Sequence, residues 1–140
     1  MLSNNIDNFT SHRCTPEYLD AKEDRESRLN DPVVSKVRSL NDDFRKTFNP
    51  ALGDIFLTIS VSALPAAKIE AVKKCVQKFN DFNVDNDPHA EHDFFSFDYD
   101  DTKYFVKIDY YDRSLKWGTE NPEDPTKCKR VLTIMFASEY

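Results

Sequence analysis

A chain of 140 residues, 39% of them apolar, is long enough to bury one core and too short for two typical domains. Its formal charge of −6, with no Lys/Arg stripe, argues against direct nucleic-acid binding and favours a basic, positively charged protein partner. Eleven Phe, six Tyr and one Trp supply ring area for a core that needs neither disulfides nor a structural metal.

Residues Met1 to Asn30 are polar and weakly periodic, and they read as a tail or a loosely attached helix preceding a single domain over 31–140. From Asp31-Pro32, an N-cap followed by Pro at the first helical position, Val33, Val37, Leu40, Phe44 and Phe48 recur at helical spacing, so a helix is predicted to about Phe48. Asp54 to Val61 alternates apolar residues at Ile55, Leu57, Ile59 and Val61, the period of a half-buried strand. Pro65 then opens a second helix with a stripe of Ile69, Val72, Val76 and Phe79.

Phe94–Tyr99 and Lys103–Tyr111 are strand-like runs joined by Asp100, Asp101 and Thr102, which predicts a hairpin. Arg113 to Arg130 reads as a surface loop, and Val131–Phe136 as a closing strand. The order gives an α+β fold: an antiparallel sheet of about four strands with two main helices packed on one face. Phe44, Leu57, Val72, Val76, Ile108 and Ile134 are the expected core.

Cys14, Cys75 and Cys128 are odd in number and never fall in a C-x-x-C spacing, which fits a reducing compartment and argues against a disulfide framework. No apolar run approaches the roughly 20 residues that span a bilayer, and the first residues lack a signal-peptide order, so a cytoplasmic location without membrane contact is expected. With two glycines, Gly53 and Gly118, neither a phosphate loop nor a G-x-G-x-x-G turn can be written, and no G-x-S-x-G elbow occurs.

The densest polar cluster is Asp85-Asn86-Asp87-Pro88-His89-Ala90-Glu91-His92-Asp93. On a helical turn after Pro88, His89 and His92 would share a face, and with Asp93 they could hold a divalent transition metal. The structural alternative is a capping loop whose acids accept backbone N–H groups and whose histidines hydrogen-bond inside the fold. A second cluster, Lys107-Ile108-Asp109-Tyr110-Tyr111-Asp112-Arg113, closes the long strand. With Val106, Ile108 and Tyr110 inward, Lys107, Asp109 and Tyr111 face away from the helices, either as a solvated ion pair or as the floor of a binding surface. Hairpin pairing brings the two clusters to one edge, where Asp109, Tyr111 and Asp112 are expected near His92 and Asp93.

At these clusters the chain resembles the domain of unknown function family 3768, small proteobacterial proteins often encoded on mobile elements. The resemblance rests on Asn41-Asp42 through Phe44, Leu57-Thr58, Ala63-Leu64-Pro65, the Asp85–His89 and Glu91–Phe94 segments, Lys107–Asp112, Arg130–Met135 and Glu139-Tyr140. Members tend to carry Gly where this chain has Ala90 and Phe95. The family has no established activity, and the resemblance implies an accessory protein that binds and modulates or inhibits a host protein, defence machinery included. The leading expectation is therefore a non-catalytic acidic interaction protein using Asp85, Asp87, His89, Glu91, His92, Asp93, Lys107, Asp109, Tyr111 and Asp112 for binding. The rival is a small metal-dependent hydrolase or nuclease with His89, His92 and Asp93 as ligands and Asp109 or Asp112 as a further ligand or general base.

Overall fold

The computed structural model describes residues 15–140. Helix α1 (Pro16–Leu29) starts where the Thr15 hydroxyl accepts the Tyr18 N–H at 3.2 Å, and Tyr18 is its buried residue. The predicted loose segment is therefore a helix from Pro16, while residues 1–14 lie outside the described part. Helix α2 (Pro32–Thr47) forms as its caps predict: the Asp31 carboxylate accepts the Val33 and Val34 N–H groups, and Phe48 ends the helix in the left-handed region at φ 53°.

Strand β1 (Gly53–Leu57) is shorter than the alternation predicts. Thr58 leaves the sheet as the N-cap of a single turn, α3 (Ile59–Ser62), so Ile59 is 88% exposed while Val61 turns into the core. The side-chain oxygen of Thr58 caps the Val61 N–H, a local preference that ends the strand. Helix α4 (Ala66–Lys78) follows Pro65 as expected. Strands β2 (Phe94–Tyr99) and β3 (Thr102–Tyr111) are joined by a two-residue turn with Asp100 and Asp101 both left-handed, at φ 53° and 59°. Strand β4 (Lys129–Phe136) and a 3-10 turn, Ala137–Glu139, complete the chain.

The sheet order is β1-β4-β3-β2. The α+β fold with a four-stranded, mostly antiparallel sheet is as expected: the β4–β3 and β3–β2 pairs are antiparallel, and β1 alone lies parallel to its neighbour β4, in the register Ile55↔Leu132. Parallel pairing needs a long crossover, here the whole of α4, β2 and β3. Gly53 is required at the start of β1, because a Cβ there would collide with the Arg130 carbonyl.

The helices cover one face. Phe44, Val61, Val72 and Val76 meet Phe95, Tyr104, Val106, Ile108, Leu132 and Ile134, all buried. Five of the six expected core residues are among them, and Leu57 at the edge is half-buried. The opposite face carries one row Phe56, Thr133, Lys107, Phe94 across all four strands. Tyr140 folds onto it, with ring centroids 5.4 Å from Phe94 and 5.3 Å from Phe105.

Candidate functional site

After α4 the chain enters the acidic loop. Asn83 and Asn86 fold it by side-chain-to-backbone bonds: the Asn83 Oδ1 accepts the Asp85 N–H at 2.8 Å, and the Asn86 Oδ1 accepts the Asn83 N–H at 2.8 Å. Pro88 sits in a turn closed by Ala90 N–H to the Asp87 carbonyl at 3.1 Å. Beyond it Ala90 and His92 are left-handed, at φ 60° and 56°. A helical turn cannot contain such residues, so the expected face shared by His89 and His92 does not form. Ala90 thus holds a conformation that Gly would adopt without steric cost.

His89 is exposed, whereas His92 turns inward. Its ring stacks on Phe82 at 3.8 Å between centroids and 7° between planes. Nδ1 lies 2.8 Å from an Asp42 oxygen, and Nε2 lies 3.5 Å from an Asp87 oxygen. Asp42 also accepts from Arg45 at 3.1 Å; although burial pulls its carboxyl up, His92 and then Arg45 hold it below its ordinary 3.8. Asp87, almost fully buried, accepts the His92 N–H at 3.0 Å and the Arg25 guanidinium at 3.0 Å, while its carbonyl takes Arg25 Nε at 2.7 Å. Helix α1 is thus tied to the loop. Among the described residues no group of three or more His, Cys, Asp or Glu is placed to hold a metal ion, and His89, His92 and Asp93 do not form a ligand set.

A second set of bonds lies beneath the first. Asn41 Oδ1 accepts Arg130 Nε at 2.6 Å, and its Nδ2 donates to the Glu91 carbonyl at 2.9 Å and to the Tyr110 hydroxyl at 2.7 Å. Tyr110 in turn donates to the Glu91 carboxylate at 2.8 Å. Arg130 reaches the Pro122 carbonyl at 2.7 Å and lies over the Tyr110 ring at 5.3 Å. Arg45 is equally buried and donates to the Val76 and Phe79 carbonyls at 3.1 and 2.7 Å. Burial, reinforced by Asp93 and Glu91, pushes the Tyr110 phenol far up, so it stays a neutral donor. Burial and then Glu91 push the Asp93 carboxyl from 3.8 up to about 6.

The two sequence clusters do meet at one edge: Phe94 pairs with Lys107, and the Ile108 N–H donates to the Asp93 carbonyl at 2.8 Å. They do not form the expected composite of His92 with Asp109, however. His92 turns to α2, while Lys107 and Asp109 pair with each other at 2.9 Å on the far face of the sheet. Asp112 accepts from the Ser114 N–H at 3.0 Å and the Ser114 hydroxyl at 2.6 Å, and these bonds, the hydroxyl first, hold its carboxyl below its ordinary value. Tyr111 is half-buried beside Gly118. Asp85 is exposed at the loop surface.

Sequence reasoning missed Asn41, Arg45 and Arg130, and the signal for them was periodicity. Asn41 and Arg45 continue the spacing of four from Val37 along the buried stripe of α2, and Arg130 alternates with Leu132 and Ile134 on the inward side of β4. A cleft of about 250 Å³ lies between α1 and the loop, lined by Tyr18, Lys22, Arg25, Leu29, Phe82 and Val84. None of His89, Asp93, Asp109 or Asp112 lines it.

No helix among the described residues is long and apolar enough to cross a membrane. No curated protein and no solved structure matches the chain. The family model for Protein of unknown function (DUF3768) matches residues 57–139, more than half of the chain and including the loop and all of β2, β3 and β4, and the chain belongs to that family.

Proposed function

We propose that this chain is a non-catalytic acidic interaction protein that binds and modulates a host protein. The observation that supports it is how the loop spends its reactive side chains. Asp87, Glu91 and His92 are engaged with Arg25, Tyr110, Asp42 and backbone groups, while one face of the sheet is left uncovered by helices. A catalyst requires a concave site on which acid, base or metal ligands converge, and a binder requires a broad exposed surface. The exposed carboxylates Asp81, Asp98, Asp101 and Glu120 lie around the domain and, in a chain of net charge −6, attract a basic partner over several ångströms of solvent.

Affinity purification from the host cell, with bound proteins identified by mass spectrometry, tests this reading. A partner of net positive charge should be retained at low salt, be lost as salt screens the attraction, and be weakened when Asp81, Asp98, Asp101 and Glu120 are changed together to Asn or Gln. Retention that ignores both salt and these substitutions would refute electrostatic recruitment. Turnover of a substrate by the purified chain would refute the non-catalytic assignment.

A further inference from the structure

We propose that the turn Asp112–Gly118 is the docking element for the partner protein, with Trp117 inserting into an apolar pocket of that partner that carries a hydrogen-bond acceptor at its mouth. The assignment rests on the interaction function proposed above and adds the residues that make the close contact.

Residues Arg113 to Gly118 are all exposed, the longest such run among the described residues. Trp117 is 73% exposed and Leu115, two positions before it, 41%. The indole packs on no other ring, and its N–H meets no acceptor among the described residues. Its large apolar surface therefore forgoes the burial that rings such as Phe95 and Tyr104 obtain.

This exposure is held in place by the turn. The Asp112 carboxylate accepts the Ser114 N–H at 3.0 Å, the Ser114 hydroxyl at 2.6 Å and the Lys116 N–H at 3.3 Å. Asp112 also donates its N–H to the Trp117 carbonyl at 2.8 Å and accepts the Leu115 N–H at 3.0 Å on its own carbonyl. Tyr111 bridges to Gly118 beneath the turn, and Arg113 anchors it through the Ala51 and Cys128 carbonyls at 3.3 and 3.2 Å. Leu115 is left-handed at φ 62°, where Gly or Asn would close the turn with less strain. A leucine held there and turned to solvent adds apolar contact area, not turn stability.

The shape and charge of the turn select the partner. A small ligand needs a concavity, which a run of exposed residues does not offer, so the concave side belongs to the partner. Over 112–127 four acidic residues stand against three basic ones, which leaves no positive excess to draw the turn to an anionic bilayer and suits a basic protein. Trp is enriched among interface hot spots, and a turn already fixed by hydrogen bonds loses little freedom on binding. The unpaired indole N–H sets the need for an acceptor on the other side.

Trp117 is the one Trp of the chain, so a label on it reports this site alone. Host proteins retained by the immobilised native chain and by Trp117→Ala are identified and quantified by mass spectrometry, and the protein retained by the native chain is purified and titrated into the chain labelled with fluorotryptophan. That protein should be lost from Trp117→Ala and partly kept by Trp117→Phe, and it should shift the fluorine NMR resonance. The dissociation constant should rise about thirtyfold or more for Trp117→Ala and about fivefold for Leu115→Gly. Because Gly fits φ 62° without strain, Leu115→Gly should melt no lower than the native chain, which separates lost contact from lost folding. Equal retention of the same protein by Trp117→Ala overturns this assignment and leaves the proposed function standing, whereas a native chain that retains no protein overturns both. A resonance unmoved by the bound protein also overturns it, as does one shifted by vesicles of phosphatidylcholine and phosphatidylserine, which makes a bilayer the occupant.

Discussion

Replacing Asn41 by Ala removes three hydrogen bonds at once from a fully buried position, at 2.6, 2.9 and 2.7 Å. The two neutral bonds, to the Glu91 carbonyl and the Tyr110 hydroxyl, are worth about 1 kcal/mol each, and the bond from the Arg130 guanidinium about 1.5–3 kcal/mol. Arg130 keeps the Pro122 carbonyl but remains buried with one donor unsatisfied, which places the total at about 3–5 kcal/mol. Against the roughly 5–15 kcal/mol that separates folded from unfolded states, the variant should be folded yet marginal. Urea denaturation measures the loss directly, because the midpoint falls while the slope stays constant if only stability has changed. Tyr110→Phe should cost about 1–2 kcal/mol, and the double variant should lose less than the sum of the singles, since both remove the same Asn41–Tyr110 bond. A loss below about 1 kcal/mol for Asn41→Ala would refute the claim that this group of bonds holds the loop to the sheet.

Two further outcomes follow from the electrostatics of the loop and from the hairpin. The Asp93 carboxyl is raised to about 6 by burial and by Glu91, so the folded state holds its proton more tightly than the unfolded state, and stability falls as pH rises from about 4 to about 6. Asp93→Asn should therefore stabilise the protein by about 1–2 kcal/mol at pH 7, after allowance for partial solvent screening, with no gain at pH 3.5; a gain equal at both pH values, read from paired urea curves, would contradict the raised value. Asp101→Gly should raise the melting temperature by about 2–4 °C, because the second position of this two-residue turn is left-handed and glycine adopts it without strain; a fall on differential scanning calorimetry would show that the Asp101 side chain matters more than its backbone.

The elements that local chemistry specifies were legible in the sequence. Helix α2 is announced by Asp31-Pro32 and an apolar stripe, α4 by Pro65 and its stripe, and the β2–β3 hairpin by aromatic runs around Asp100-Asp101. The end of β1 was not, because Ile55, Leu57, Ile59 and Val61 fit a strand by period alone and the competing signal is one capping side chain, Thr58. Parallel pairing of β1 with β4 joins residues more than seventy positions apart, and no local pattern encodes it. In the candidate site the convergence of the loop with β3 was legible from hairpin geometry. The inward turn of His92 was not, because it depends on left-handed backbone at Ala90 and His92 and on Asp42 and Phe82, which arrive from other elements.

That inward turn has a physical origin in the buried arginines. Arg45 and Arg130 are fully buried, and Arg25 reaches a nearly fully buried Asp87. A guanidinium out of water is tolerated only where carboxylates, carbonyls or ring faces replace its hydration. Asp42, Asp87, Asn41, the main-chain carbonyls of Val76, Phe79 and Pro122 and the faces of Phe82 and Tyr110 do this here, which accounts for part of a density of acids that in the sequence looks like catalytic machinery. In this loop Asp87 meets the Arg25 charge, while Glu91 and His92 are held by Tyr110 and Asp42. Because these groups largely neutralise one another, the excess negative charge of the chain resides on its solvent-facing carboxylates.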